Sequence, residues 1–140
     1  MVINGREIAE EIVGELEQGV DDLKSRGKIP KIAIVTLGDE GAWKAYVGQK
    51  LKLADRLKIE KEFVTLESPT QQELLDLIQK LDSNKTIDGI IVQRPFPPEF
   101  HIDKEKVVNA VTSEKDIDGF RVDSPYEVPT WQATKKILPG

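Results

Sequence analysis

"KIAIVTLGDEGAWKAYVGQKLK", residues 31–52, contains a strand, a turn and the start of a helix in one run. "KIAIVTL", 31–37, is rich in β-branched residues and reads as a strand. "GDEG", 38–41, reads as a turn, with two glycines and two acids ending the strand. From 42 to 57, Val47, Leu51, Ala54 and Leu57 fall on one helical face, so a core-facing helix follows the strand directly.

The same alternation extends in both directions. Upstream, Ile8, Ile12, Val13, Leu16, Val20 and Leu23 predict a helix over 6–26, stopped by Gly27. Downstream, "IEKEFVTL", 59–66, predicts a second strand. Thr70 with Glu73 fits a capping box, opening a helix with Leu74, Leu77, Ile78 and Leu81 inward. Residues 87–93 form a third strand around Ile90, Ile91 and Val92. Asp103 starts a short helix through Val111, 112–130 is loop, and a last helix begins near 131. Strands alternating with helices predict an α/β fold: three layers, with helices on both faces of a mostly parallel sheet.

The chain has 140 residues, enough for one domain with a real core, so 1–140 is read as a single domain. Its net charge is -5, with acids and bases interspersed. No basic stripe is present to neutralise phosphates, which argues against nucleic acid as the main partner. The absence of cysteine excludes disulfides and thiolate metal sites, and a single histidine argues against a histidine-based metal site. "MVINGREIAEE" has no apolar signal core, and no run approaches the roughly 18 residues of a membrane span. No membrane partner is expected, and the cytoplasm is the expected location. Neither GxGxxG nor GxxxxGK follows any strand, so no classical nucleotide site is expected within these residues.

Ligands of open parallel sheets sit beyond the carboxyl ends of the strands. In "DGIIVQRPFPPEF", 88–100, a core strand ends on Gln93 and Arg94, followed by prolines at 95, 97 and 98. Tyr46 and Lys50 are four residues apart and share one helical stripe. They offer a stacking ring and a cationic or proton-transferring amine. The plainer alternative is an amphipathic border with a solvated lysine, and prolines that stiffen a surface connection. "SEKDIDGFRVD", 113–123, gathers Asp116, Asp118 and Asp123 around Gly119. Such a loop is either a metal site or a turn closed by Asx hydrogen bonds. Its carboxylates also suit amidine-like ring edges, which they hold by two parallel hydrogen bonds.

Together "INGREIA" (3–9), "YVGQK" (46–50), "VQRPFP" (92–97) and "KDIDG" (115–119) carry a resemblance. The chain resembles the N-terminal catalytic domain of the bifunctional methylenetetrahydrofolate dehydrogenase/methenyltetrahydrofolate cyclohydrolase family. That family shows Tyr-Val-x-x-Lys, V-Q-x-P-x-P and K-D-V-D-G in this order. The resemblance implies the catalytic half of a two-domain folate enzyme of one-carbon metabolism and purine biosynthesis, cytoplasmic and homodimeric. It implies oxidation of 5,10-methylene-tetrahydrofolate with NADP and hydrolysis of the methenyl product to 10-formyl-tetrahydrofolate. It also implies that the NADP-binding Rossmann half lies outside these residues, leaving cyclohydrolase activity at most to them.

Carried over residue by residue, the implied catalytic set is Lys50, Gln93, Tyr46 and Asp118. Lys50 moves protons at the one-carbon bridge, and Gln93 hydrogen-bonds and tunes it. Tyr46 stacks on the aminobenzoyl ring, Asp118 grips the pterin edge, and Pro95 helps to line the substrate. No residue is implied to hold NADP or a metal. Trp43 departs from the family's serine, and is expected to narrow the cleft or replace a hydrogen bond by stacking. Arg94 replaces a more common leucine and adds a charge at the cleft mouth. In "VPTWQA", 128–133, only Thr130 keeps its place, with Trp131 at a usual proline. His101 is read as structural or solvent-exposed. These departures motivate an alternative, a non-catalytic folate-binding or dimerising module that has lost turnover. A third reading is a scaffold pairing with another chain through the first helix or strand 59–66.

Overall fold

Strand β1 (Lys31–Leu37) runs through the middle of a three-stranded sheet in a computed structural model that describes residues 4–137. Ile3 of "INGREIA" and the last three residues of "KKILPG" lie outside the described residues. Strands β2 (Glu60–Leu66) and β3 (Gly89–Val92) flank β1, both parallel to it, in the order β2–β1–β3. The central position matches the composition of β1, whose last five residues are buried.

Side chains alternate across the pleat, and each face of the sheet receives its own layer. On one face Ala33, Val35, Leu37, Ile90 and Val92 meet Leu74, Ile78 and Leu81 of α3 (Gln71–Ser83). Val107 of α4 (Lys104–Ala110) and the adjoining Val111 complete that cluster. On the other face Ile34 and Ile91 lie under Val47 and Leu51 of α2 (Glu40–Leu57). Helix α1 (Gly5–Ser25) packs outside α2. There Arg56 of α2 donates to Glu10 at 3.1 and 3.0 Å and to Glu17 at 3.0 Å. The expected α/β architecture, with helices on both faces of a parallel sheet, is the observed one.

Local signals act as their chemistry requires. Thr70 Oγ1 accepts from Glu73 N at 3.2 Å, and Glu73 Oε2 accepts from Thr70 N at 2.8 Å, closing both halves of the capping box. Asp103 Oδ1 accepts from the backbone N–H of Glu105 and Lys106 at the start of α4. Most ends fall within one residue of the expected ones, and three starts differ by two. α2 begins at Glu40, not 42, because the chain turns helical directly after Asp39. α5 (Pro129–Ile137) begins two residues before the expected start, with proline at its first position, where no N–H is needed. The β3 ladder spans only 89–92; before it, Ile87 N donates to Asn84 O in the turn after α3.

The segment after α4 is not wholly irregular. Asp116 forms a single parallel bridge with Ile90, laying the acidic loop along the free edge of β3. Gly89 permits this approach: a Cβ there would lie 2.6 Å from Ile117 Cγ2.

Candidate functional site

Lys50 projects from α2 toward the end of β3. Gln93 is the first residue past that strand, and its backbone N–H donates to Val35 O at 2.9 Å, so it stays in register with β1. Lys50 Nζ donates to Gln93 Oε1 at 2.9 Å. Gln93 Nε2 donates to Arg94 O at 2.7 Å, which leaves the amide oxygen to face the amine. On the other side, Asp118 Oδ1 lies 3.9 Å from Lys50 Nζ. The Asp118 side chain is 14% exposed and that of Lys50 36%. Burial pushes the Asp118 carboxyl above the usual carboxylate range; Lys50 opposes that shift, Asp116 adds to it, and Arg94 opposes it. The result is one amine set between a neutral acceptor and a carboxyl group that gains its charge reluctantly.

The loop that carries Asp118 is pinned at both ends. Lys115 Nζ donates to Asp82 O at 2.6 Å and Asn84 O at 2.9 Å, where α3 ends and its carbonyls need donors. Asp116 is buried; its carboxylate accepts from Arg121 N at 2.8 Å and its carbonyl from Gly119 N at 3.0 Å. Gly119 has φ +67°, and a Cβ there would lie 2.6 Å from Tyr126 O, so the turn requires glycine. Arg121 pairs with Asp123 at 2.7 and 3.0 Å and donates to Asn109 O and Val111 O. The acidic loop is thus a turn closed by its own hydrogen bonds. Among the described residues, no group of three or more acid, histidine or cysteine side chains is arranged to hold a metal.

The structure thus brings Lys50, Gln93 and Asp118 together. Tyr46 sits one turn before Lys50 on α2, 67% exposed. Pro95 is exposed beyond a cis Arg94–Pro95 peptide. The Trp43 ring meets Phe63 of β2 edge-on, with centroids 5.5 Å apart, and its Nε1 donates to Gly38 O at 3.3 Å. It packs on the sheet face with Ile34 and Val47. His101 is exposed after the short turn Pro98–Phe100.

One contact has no counterpart in the sequence reading. The Arg94 guanidinium lies over the Phe120 ring, 3.5 Å from its centroid. The available signal was an aromatic directly after "KDIDG" and an arginine at a strand end. Beside this pair lies a narrow recess of about 20 Å³, with Arg94, Phe96, Asp116, Asp118 and Phe120 among its walls.

A family model described as tetrahydrofolate dehydrogenase/cyclohydrolase, catalytic domain, matches residues 3–118. The chain is 39% identical over 133 residues to a bifunctional protein FolD of Anaplasma marginale, covering 94% of this chain and 44% of that protein. It is similar in structure to a bifunctional FolD methylenetetrahydrofolate dehydrogenase/cyclohydrolase of Campylobacter jejuni, with TM-score 0.89 and 31% identity over 96% of this chain and 51% of that one. A methylenetetrahydrofolate dehydrogenase-cyclohydrolase of Trypanosoma brucei, solved with NADP cofactor and an inhibitor, matches with TM-score 0.77 and 32% identity over 84% of this chain and 40% of that one. The chain therefore spans about half the length, or less, of these relatives.

Proposed function

The chain belongs to the tetrahydrofolate dehydrogenase/cyclohydrolase family, and from that premise we propose that residues 1–140 are the folate-binding catalytic domain of a one-carbon enzyme. The whole enzyme oxidises 5,10-methylene-tetrahydrofolate to the methenyl form with NADP and hydrolyses that product to 10-formyl-tetrahydrofolate. The observation that supports this best is the 2.9 Å hydrogen bond from Lys50 Nζ to Gln93 Oε1, beside the Asp118 carboxyl.

In the hydrolysis, water adds to the bridge carbon and the bond from that carbon to one ring nitrogen breaks. One proton of the water ends on that nitrogen and the other is released. Lys50 is assigned the proton transfer, since a general acid–base group must sit within hydrogen-bond reach of the reacting atoms. Gln93 aims the amine. Asp118 receives the paired N–H donors of the pterin edge, the exposed Tyr46 ring stacks on the aminobenzoyl group, and Pro95 lines the substrate.

The residues present do not fit a dinucleotide. Asp39 places an acid before the amino end of α2, where a pyrophosphate needs free backbone N–H groups. β3 runs into Gln93, Arg94 and Pro95 instead of a glycine-rich turn into a helix. NADP is therefore assigned to another part of the whole enzyme, and hydrolysis alone to residues 1–140.

The same reading includes a cytoplasmic homodimer that serves purine biosynthesis. β2 is an edge strand, with Phe63 41% exposed, and supports pairing with a second copy. No described helix is long and apolar enough to cross a membrane. The decisive experiment follows the absorbance decay of methenyl-tetrahydrofolate with the wild-type chain and with Lys50→Ala. A faster decay with wild type is expected. Equal rates remove the catalytic assignment, and folate-analogue binding without turnover leaves the non-catalytic module.

A further inference from the structure

We propose that Arg94 is a positioning residue that latches the Asp118 loop to the end of β3 and so holds both halves of the site at one spacing. The inference rests on the folate reading of the Lys50–Gln93–Asp118 group. Arg94 makes two contacts that bear on the site. Its carbonyl accepts from Gln93 Nε2 at 2.7 Å, turning Gln93 Oε1 toward Lys50. Its guanidinium lies 3.5 Å from the centroid of Phe120, two residues beyond Asp118 across the Gly119 turn.

The loop's long-range side-chain hydrogen bonds lie away from the site, while the Asp116–Ile90 bridge lays its start along β3. Lys115 ties it to the end of α3, and Arg121 to carbonyls at the end of α4. The Arg94–Phe120 stack joins the segment between those anchors to the neighbour of Gln93. A guanidinium over an aromatic face is attracted by the negative charge of the ring face. The planar fork of arginine stacks in a way that the compact lysine ammonium does not match. Phe120 is 40% exposed, so the latch can be removed without opening the core.

The charge of Arg94 acts on the same segment. Asp118 is faced by Lys50 from α2, by Asp116 from its own loop and by Arg94 from the exit of β3. Burial is the largest influence and raises the carboxyl; the two cations oppose it, and Asp116 adds to it. Loss of Arg94 removes one of those two opposing charges.

The test is a carbon-detected NMR titration of the Asp118 carboxyl in the ligand-free chain, paired with calorimetric binding of folic acid. Wild type is compared with Arg94→Leu, Arg94→Lys and Phe120→Leu. Arg94→Leu should move the Asp118 midpoint upward and weaken folic acid about two- to fivefold, the worth of one such stack. Phe120→Leu should weaken binding similarly with a smaller midpoint change, because the charge remains. Arg94→Lys should keep the midpoint but not the affinity. The latch is overturned if Arg94→Leu leaves midpoint and affinity unchanged, or if Arg94→Lys matches wild type in both. If wild type binds no folic acid while Arg94→Leu and Phe120→Leu both shift the backbone resonances of Asp118 and Gly119, the folate reading falls and the latch stands. If wild type binds and all variants match it, the latch falls and the folate reading stands.

Discussion

The amine of Lys50 and the amide oxygen of Gln93 lie 2.9 Å apart although 43 positions separate them in the chain. Only the fold makes that pair: α2 supplies the amine and the end of β3 the acceptor, both at the carboxyl edge of one sheet. If the amine transfers a proton, its acceptor partner acts on the transition state more than on substrate binding. Gln93→Ala should therefore lower kcat of methenyl hydrolysis by about 10²-fold, the scale of one general acid–base contribution, with KM little changed. A rise confined to KM would show that Gln93 only binds.

Asp118 links the site to stability. Its folded carboxyl titrates above its unfolded value, because of burial first, with Lys50 and Arg94 opposing and Asp116 adding. The folded state thus holds the proton more tightly than the unfolded chain. The stability from this group is complete below the unfolded value and is lost as pH rises through the raised folded one. Asp118→Asn cannot ionise and escapes the loss. Urea denaturation should find the variant more stable than wild type at pH 7, with the gap closing in acid. A gap that widens in acid would refute the assignment.

The sequence made the layers readable because burial leaves a period. Ile34 faces one helix layer while Ala33 and Val35 face the other, and the helices repeat Val47 with Leu51 and Leu74 with Ile78. Gln93 was readable for the opposite reason: a polar side chain ending a buried strand is not explained by packing. Single long-range contacts leave no period. The bridge between Asp116 and Ile90, the Arg94–Phe120 stack and the Trp43–Phe63 pair each join two residues once. Strand order is equally silent, so the half-exposed character of β2 follows from its edge position and not from "IEKEFVTL". Helix α1 shows the limit of periodicity: Leu16 and Leu23 fit the apolar face but remain 44% and 38% exposed.

The capping box of α3 predicts a local pH dependence. The backbone N–H of Thr70 first, then its hydroxyl, holds the Glu73 carboxylate below the usual range. That contribution is present above the unfolded value and is lost as pH falls through the depressed folded one. Thr70→Ala should cost about 1 kcal/mol at neutral pH, the usual worth of an N-cap. Glu73→Ala should destabilise at pH 7 and converge on wild type in strong acid. Parallel curves for Glu73→Ala and wild type across that range would mean the carboxylate does not act through its charge.

Gly89 transmits packing from β3 to the Asp118 loop. A Cβ at this position would stand 2.6 Å from Ile117 Cγ2 and 2.8 Å from Ile117 Cδ1. Cγ2 branches close to the main chain, so relief requires the backbone of Ile117 to retreat, carrying its neighbours Asp116 and Asp118. Overpacking of this kind costs about 1–3 kcal/mol. Gly89→Ala should lower the denaturation midpoint and also weaken folate-analogue binding, though residue 89 touches no proposed ligand group. Ile117→Ala removes the obstructing atoms, so it should cost less in the Gly89→Ala background than in wild type. Strictly additive losses in that cycle would mean that the sheet absorbs the methyl group elsewhere and that Gly89 does not control where Asp118 stands.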